Sequence, residues 1–407
     1  MRMRSLLIPT LAMVVGLDVA QAADDLQIHG FVSQGFLLTK NNAIFTPDSE
    51  DSGTFEFNEL ALNVVATPID RLRVGVQIAA QDLGNSFNNQ PTIDWAYGNY
   101  SFGEIANGLD LAVSAGRFKM GHGLYNDFRD LDMTRPSVFL PMSVYNPRWR
   151  DLILAINGIE VNLTAAAGAF GSFEFNAYMG DTSFSASEGA LHDLFVDTGM
   201  DPSSLNVEAI RGGQVTWATP VDGLRLKYSL LNCSQFVAQG TYAGAAAVPG
   251  FVPGTDYSLT IPNYWDNIAS VEYVWNNLMV AAEYNYVYYQ TTVDGTLNIG
   301  GPQVPVSRDS SNRTDAAYIS AAYRMHPKWE ALGGWQWSQG ESEGAQNTKK
   351  KWYAFNAAIR FDVTEHWLIK AEYQWTHGDG LLRASEQADG TREEIWSLFA
   401  LKTTFDF

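Results

Sequence analysis

The stretch Glu393–Phe407, EEIWSLFALKTTFDF, decides how this chain is read. From Ile395 onward, Phe399, Leu401, Phe405 and Phe407 fall on alternate positions, and Glu394, Lys402, Thr404 and Asp406 lie between them. Successive side chains of a strand point to opposite faces, so this segment reads as a strand with one greasy, aromatic face and one wet face. A soluble sandwich strand carries the same pattern. Repetition upstream has to decide between the two.

The clearest repeat is Leu72 to Asp82, where Leu72, Val74, Val76, Ile78 and Ala80 alternate with Arg73, Gly75, Gln77, Ala79 and Gln81. An Arg on a lipid-facing row near the bilayer midplane costs roughly 2–4 kcal/mol, so in a membrane barrel Arg73 has to face the interior. The same rhythm places strands near 26–39, 54–66, 71–82, 92–102, 109–119, 157–167, 172–180, 207–218, 224–235, 264–275, 278–290, 313–325, 329–338, 350–361, 367–377 and 393–407, sixteen in all. In 367–377, Trp367, Ile369, Ala371, Tyr373 and Trp375 oppose Lys370, Glu372 and Gln374. Aromatics at the ends of an apolar row suit the two interfaces of a bilayer.

Connections carry further information. Short ones at 67–70, 103–108, 168–171, 219–223, 275–277, 325–328 and 362–366 alternate with long polar ones near 40–53, 83–91, 120–156, 181–206, 236–263, 291–312, 339–349 and 378–392. Strict alternation is what a transmembrane antiparallel β-barrel with short periplasmic turns and long extracellular loops requires. A propeller needs a regular blade motif, and none recurs here.

The first residues, MRMRSLLIPTLAMVVGLDVAQA, set Arg2 and Arg4 before an apolar run and end on Ala20 and Ala22. They read as a signal peptide over 1–22, leaving 23–407 as one barrel domain. No later stretch is apolar for the eighteen or so residues that a spanning helix needs. A net charge of −19 argues against nucleic acid as a partner. The single cysteine, Cys233, forms no internal disulfide.

With strands, turns and ending in place, the chain resembles the sixteen-stranded porins of Gram-negative outer membranes. Ile28-His-Gly-Phe-Val-Ser-Gln-Gly-Phe36 resembles their first strand, Gly53-Thr-Phe-Glu-Phe-Asn-Glu59 the opening of the second, and Phe405 and Phe407 their closing strand. The resemblance implies an outer-membrane, multi-pass location among lipid and lipopolysaccharide, a homotrimer, and a third loop folded into the barrel. Here that position is held by 119–151, which carries Lys119, Asp127, Arg129, Asp130, Asp132, Arg135, Arg148 and Arg150. The expectation is a pore constriction in which Asp127, Asp130 and Asp132 face basic side chains across the narrowest point and set a transverse field. An ordinary surface loop whose charges pair internally is the alternative.

Alternation nominates Glu59, Arg73, Gln77, Asp94, Arg117, Glu174, Arg211, Arg225, Lys227, Glu272, Glu283, Arg360, Lys370 and Glu372 for the inner wall. The expected function is passive diffusion of small hydrophilic solutes and ions, without cofactor, metal or catalysis. The six histidines are scattered without metal-ligand spacing, and no nucleophile motif is present. A substrate-selective channel for anions or organic acids is the second reading, with Arg73, Arg117, Arg211, Arg225 and Arg360 as an arginine ladder. A secreted all-β binding protein and a barrel adhesin are the readings from other classes.

Overall fold

Neighbouring strands of the alternating pattern pair antiparallel around a closed ring. The computed structural model describes residues 26–84, 89–244, 251–297, 304–344, 347–387 and 390–407; the expected signal peptide lies outside them. The strands are β1 (Gln27–Lys40), β2 (Phe57–Ile69), β3 (Leu72–Leu83), β4 (Thr92–Ala106), β5 (Leu109–Lys119), β6 (Ala155–Ala166), β7 (Ser172–Asp181), β8 (Met200–Asn206) and β9 (Ala209–Ala218). They continue as β10 (Leu224–Tyr242), β11 (Thr255–Trp275), β12 (Leu278–Leu297), β13 (Val304–His326), β14 (Trp329–Gly344), β15 (Thr348–Asp362), β16 (Trp367–His377) and β17 (Ile395–Asp406). Sixteen close the barrel, and β8 is the extra strand. Among the described residues no helix is long and apolar enough to cross a membrane.

Closure joins β1 to β17 in a register running from Phe31 opposite Asp406 to Lys40 opposite Ser397. Gly30 and Phe407 exchange backbone hydrogen bonds of 3.1 and 3.0 Å at the seam. Glycine is required there: a Cβ on residue 30 would stand 2.6 Å from the Phe407 ring and 2.7 Å from the Ala61 carbonyl oxygen. Tight turns join the strands at one end. Asn276 takes φ 51° in the turn from β11 to β12, as two-residue hairpin turns demand.

The outward rows are uncovered hydrocarbon. Ile78, Ile159, Ile319 and Phe355 are each about half exposed, at 49, 55, 50 and 53%. Burying such a side chain is worth ~1.5–3 kcal/mol, so a continuous band of them needs lipid rather than water around it. Aromatic pairs, Trp329 with Phe361 and Phe173 with Trp217, stand near the turn end of the band.

Two regions depart from the sequence reading. The links expected at 236–263 and 291–312 are mostly strand: β10 runs to Tyr242, β11 starts at Thr255, and β12 and β13 reach Leu297 and Val304. At 23 residues β13 far exceeds the 9–11 that cross a bilayer, so this side of the barrel stands tall above the membrane. After the short helix α1 (Arg150–Ile153), the link expected at 181–206 contains helix α2 (Ala190–Asp197) and β8. Leu191 and Phe195 of α2 share a core with Met200, Leu205, Phe236, Tyr257 and Leu259, which is why the tall hairpins hold their pairing.

Candidate functional site

Residues 120–154 leave β5 and re-enter β6 after crossing the lumen, and local signals shape their path. Pro147 sits at the first position of a 3₁₀ turn, and Asn146 caps it by accepting from the Arg148 backbone N–H at 3.0 Å. Asn126, fully buried, donates to the carbonyl oxygens of Met120 (2.8 Å) and Ile153 (2.6 Å), clamping the two ends of the segment together. Phe118, Met120, Leu152 and Ile153 then pack against Tyr178, Ile210 and Leu231 on the inner wall.

Wall side chains from widely separated strands hold the segment. On β12, the Glu283 carboxylate accepts from Leu124 N–H (2.8 Å), Tyr145 O–H (2.6 Å), Tyr318 O–H (2.8 Å) and Ser270 O–H (2.6 Å). Four strands along the ring on β16, Glu372 accepts from the backbone N–H groups of Val138 (2.7 Å) and Phe139 (3.0 Å). Lys370 donates to Asp132 at 2.6 Å and to the Ser137 carbonyl at 2.8 Å. Lys402 of β17 reaches the same Asp132 oxygen at 3.2 Å while pairing with Glu59, and Thr404 donates to the other oxygen at 2.7 Å. Lys227 of β10 donates to Gly123 O at 2.9 Å, and Arg360 of β15 to Met133 O.

Apart from Asp127, the expected constriction charges stand in contact with partners instead of facing them over a gap. Asp130 takes Lys119 at 2.8 Å and Arg150 Nε at 3.2 Å, and Arg150 also reaches Asp94 at 3.0 Å. Arg148 pairs with Glu386 at 2.6 Å, tying the segment to the link between β16 and β17, and lies over the Phe45 ring. Arg129 and Arg135 are buried and donate within the segment, Arg129 to Asn126 Oδ1 and Arg135 to the carbonyl oxygens of Arg129 and Val138. Of the three aspartates only Asp127 is exposed, whereas Asp130 and Asp132 are buried. A direct contact pair projects little field beyond itself, so Asp130 and Asp132 act mainly within the segment.

Burial alone would push the Asp130 and Asp132 carboxyls up. Arg150 and Lys119 beside Asp130, and Lys370 and Lys402 beside Asp132, outweigh it and hold both well below the usual carboxylate range. Burial draws the Arg129 guanidinium down to about 10, still protonated at neutral pH.

On the wall, Arg73 shares the inward row of β3 with Gln77, which donates to Asp94 at 3.0 Å. Arg225 pairs with Glu272 at 2.7 Å and Arg360 with Asp362 at 2.7 Å. Arg117 donates to the carbonyl oxygens of Ile93 and Asp94, and Glu174 shares an inward row with Tyr178. Arg211 is a correction. Ile210 and Thr216 of β9 are buried inward, while Arg211 is exposed on the opposite row with Val215 and next to Met179. Near the loop end of a short strand its long side chain can carry its charge out to the interface. Arg211 thus lies off the inward row that an arginine ladder needs, and Arg225 and Arg360 are paired to acids. Sequence reading missed Tyr145, Tyr318, Ser270, Thr404, Glu386 and the buried His122–Asp266 contact of 3.2 Å. Lys402 is visible as the one basic residue on the wet row of its strand, which also holds Asp406.

A sixteen-stranded ring whose lumen is crossed by a wall-anchored loop is the architecture of the outer-membrane porins. The chain is similar to OmpT, an outer membrane protein of Vibrio cholerae, at 11% identity and TM-score 0.54 over 94% of this chain and 97% of that one; a trimer form of OmpT gives 0.53. It is similar to the outer membrane channel DcaP of Acinetobacter baumannii at 13% identity and 0.54, again over 94% and 97%. OmpF of Salmonella typhi, in complex with daunomycin, matches at 11% and 0.54 over the same shares. At these identities the likeness is one of fold. No protein-family model and no curated protein matches the sequence.

Proposed function

We propose that the chain is an outer-membrane porin, a channel through which small hydrophilic solutes and ions diffuse passively, with residues 120–154 narrowing the pore. The observation that carries this reading is the sorting of side chains about a closed ring. Half-exposed aliphatic and aromatic rows face out, while Glu283, Glu372, Lys370 and Lys402 face in and hold a segment across the lumen. Barrels of this strand number enclose an aqueous channel unless something fills it, so the segment sets the size of what passes. The outward aromatics support a bilayer around the barrel, with the loop end as the lipopolysaccharide side. The trimer form of OmpT supports a homotrimer here as well.

Planar-bilayer recording of the purified protein tests the function. Stepwise conductance that scales with salt is expected. A detergent-free soluble protein, or a barrel that inserts without conducting, would refute it. Cross-linking in detergent tests the trimer, with a monomer as the refuting outcome.

A further inference from the structure

Between the cross-lumen segment and the tall hairpins lies a cavity of about 670 Å³, within the range of small-molecule sites. Its lining has two unlike halves. Leu152, Phe195, Phe236 and Leu259 form an apolar wall, continuous with the core that backs α2. Asn312, Ser342 and Thr348 face it, set side by side on β13, β14 and β15 by the strand register. Arg308 joins the polar half at the outer end, and Lys350, level with Thr314 in the register, stands six residues deeper along the sheet. Leu259, Val293 and Arg308 are successive cross-strand neighbours, so apolar surface meets a guanidinium within one row. The acid in the lining, Asp197, is paired with Arg383 at 2.9 Å.

We propose that this cavity binds amphipathic organic anions before they permeate, an aryl or alkyl body on the apolar wall and a carboxylate on the Arg308 guanidinium. A fully hydrophilic solute gains nothing from the apolar half, and an amphipathic cation meets the wrong charge. The inference rests on the channel reading above, and it concerns a vestibule site, apart from the ion pairs that seat the cross-lumen segment.

Three probes separate the contributions: 2-naphthoate, acetate, which lacks the body, and naphthalen-2-ylmethylammonium, which carries the opposite charge. Each is titrated against the detergent-solubilised full-length protein by calorimetry and against single channels in planar bilayers. Saturable binding and transient block by 2-naphthoate alone are expected. Arg308→Gln should weaken it about 3- to 5-fold, as befits a partly solvated charge pair, and Lys350→Gln, farther from the carboxylate, less than about 2-fold. Leu194→Gln on α2, also in the lining, should weaken it about ten-fold. Equal response to acetate or to the ammonium, or no saturable binding of 2-naphthoate, overturns the proposal. If bilayers show no conductance the channel reading falls, and calorimetry still decides whether the cavity binds the anion.

Discussion

Asp132→Asn keeps the volume of the side chain and removes its charge from the best-connected point of the cross-lumen segment. The carboxylate lies 2.6 Å from Lys370 and 3.2 Å from Lys402, with all three side chains 0% exposed. Removing one partner of a buried pair costs about 3–5 kcal/mol, because the remaining charge is left uncompensated. Lys402 keeps Glu59, so the lower end of that range applies. About 3 kcal/mol shifts the ratio of seated to lifted segment roughly a hundred-fold. Single-channel recording should show frequent excursions to higher conductance, while the ring itself keeps its gel-stable, heat-modifiable mobility. Adding Lys370→Met should quieten the channel relative to Asp132→Asn alone, since it removes the stranded ammonium. A quiet Asp132→Asn channel with wild-type conductance and thermal stability would refute the idea that this contact seats the segment.

Asp127→Asn, at the exposed aspartate, should leave thermal stability within about 0.5 kcal/mol and move the reversal potential in a salt gradient toward anions. Asp130 and Asp132 are held below their unfolded values of about 3.9, so their contribution is complete above roughly pH 4 and is lost only as pH falls through the depressed values. Open-channel noise should therefore stay constant from about pH 7 to 4 and rise in stronger acid; a rise already by about pH 5 contradicts this. Gly30→Val forces a side chain against Phe407 and the Ala61 carbonyl at the seam and should lower barrel stability by about 1–3 kcal/mol in thermal gel-shift assays. Leu62→Arg, on an outward row and 43% exposed, should cost roughly 2–4 kcal/mol in lipid refolding titrations.

The ring was legible because lipid and water impose opposite demands on alternate residues, as Leu72–Asp82 displays without any tertiary information. The partners of Asp132 were not: Lys370 and Lys402 lie 238 and 270 residues away, and periodicity says nothing of which inward residues meet across a lumen. Arg211 was misplaced because Gly212 and Gly213 follow it and leave no row of side chains from which to read the facing of that strand. The tall hairpins were read as loops because Thr291, Thr292 and Ser310 are polar, yet Thr also pairs well in strands, and the core under α2 supplies the other side. Leu191, Leu194 and Phe195 did carry helical spacing, so α2 was available to a closer reading.

The spread of anchors along the chain also fixes an order of events. Residues 120–154 precede β12, β16 and β17 in the polypeptide, yet Glu283, Glu372 and Lys402 on those strands are what hold them. Until the final hairpin arrives, Asp132 has neither lysine, and the segment lacks its far mooring. A barrel without its closing strand would leave Asp132 without Lys402 and Thr404, so the segment is fully moored only in the closed ring.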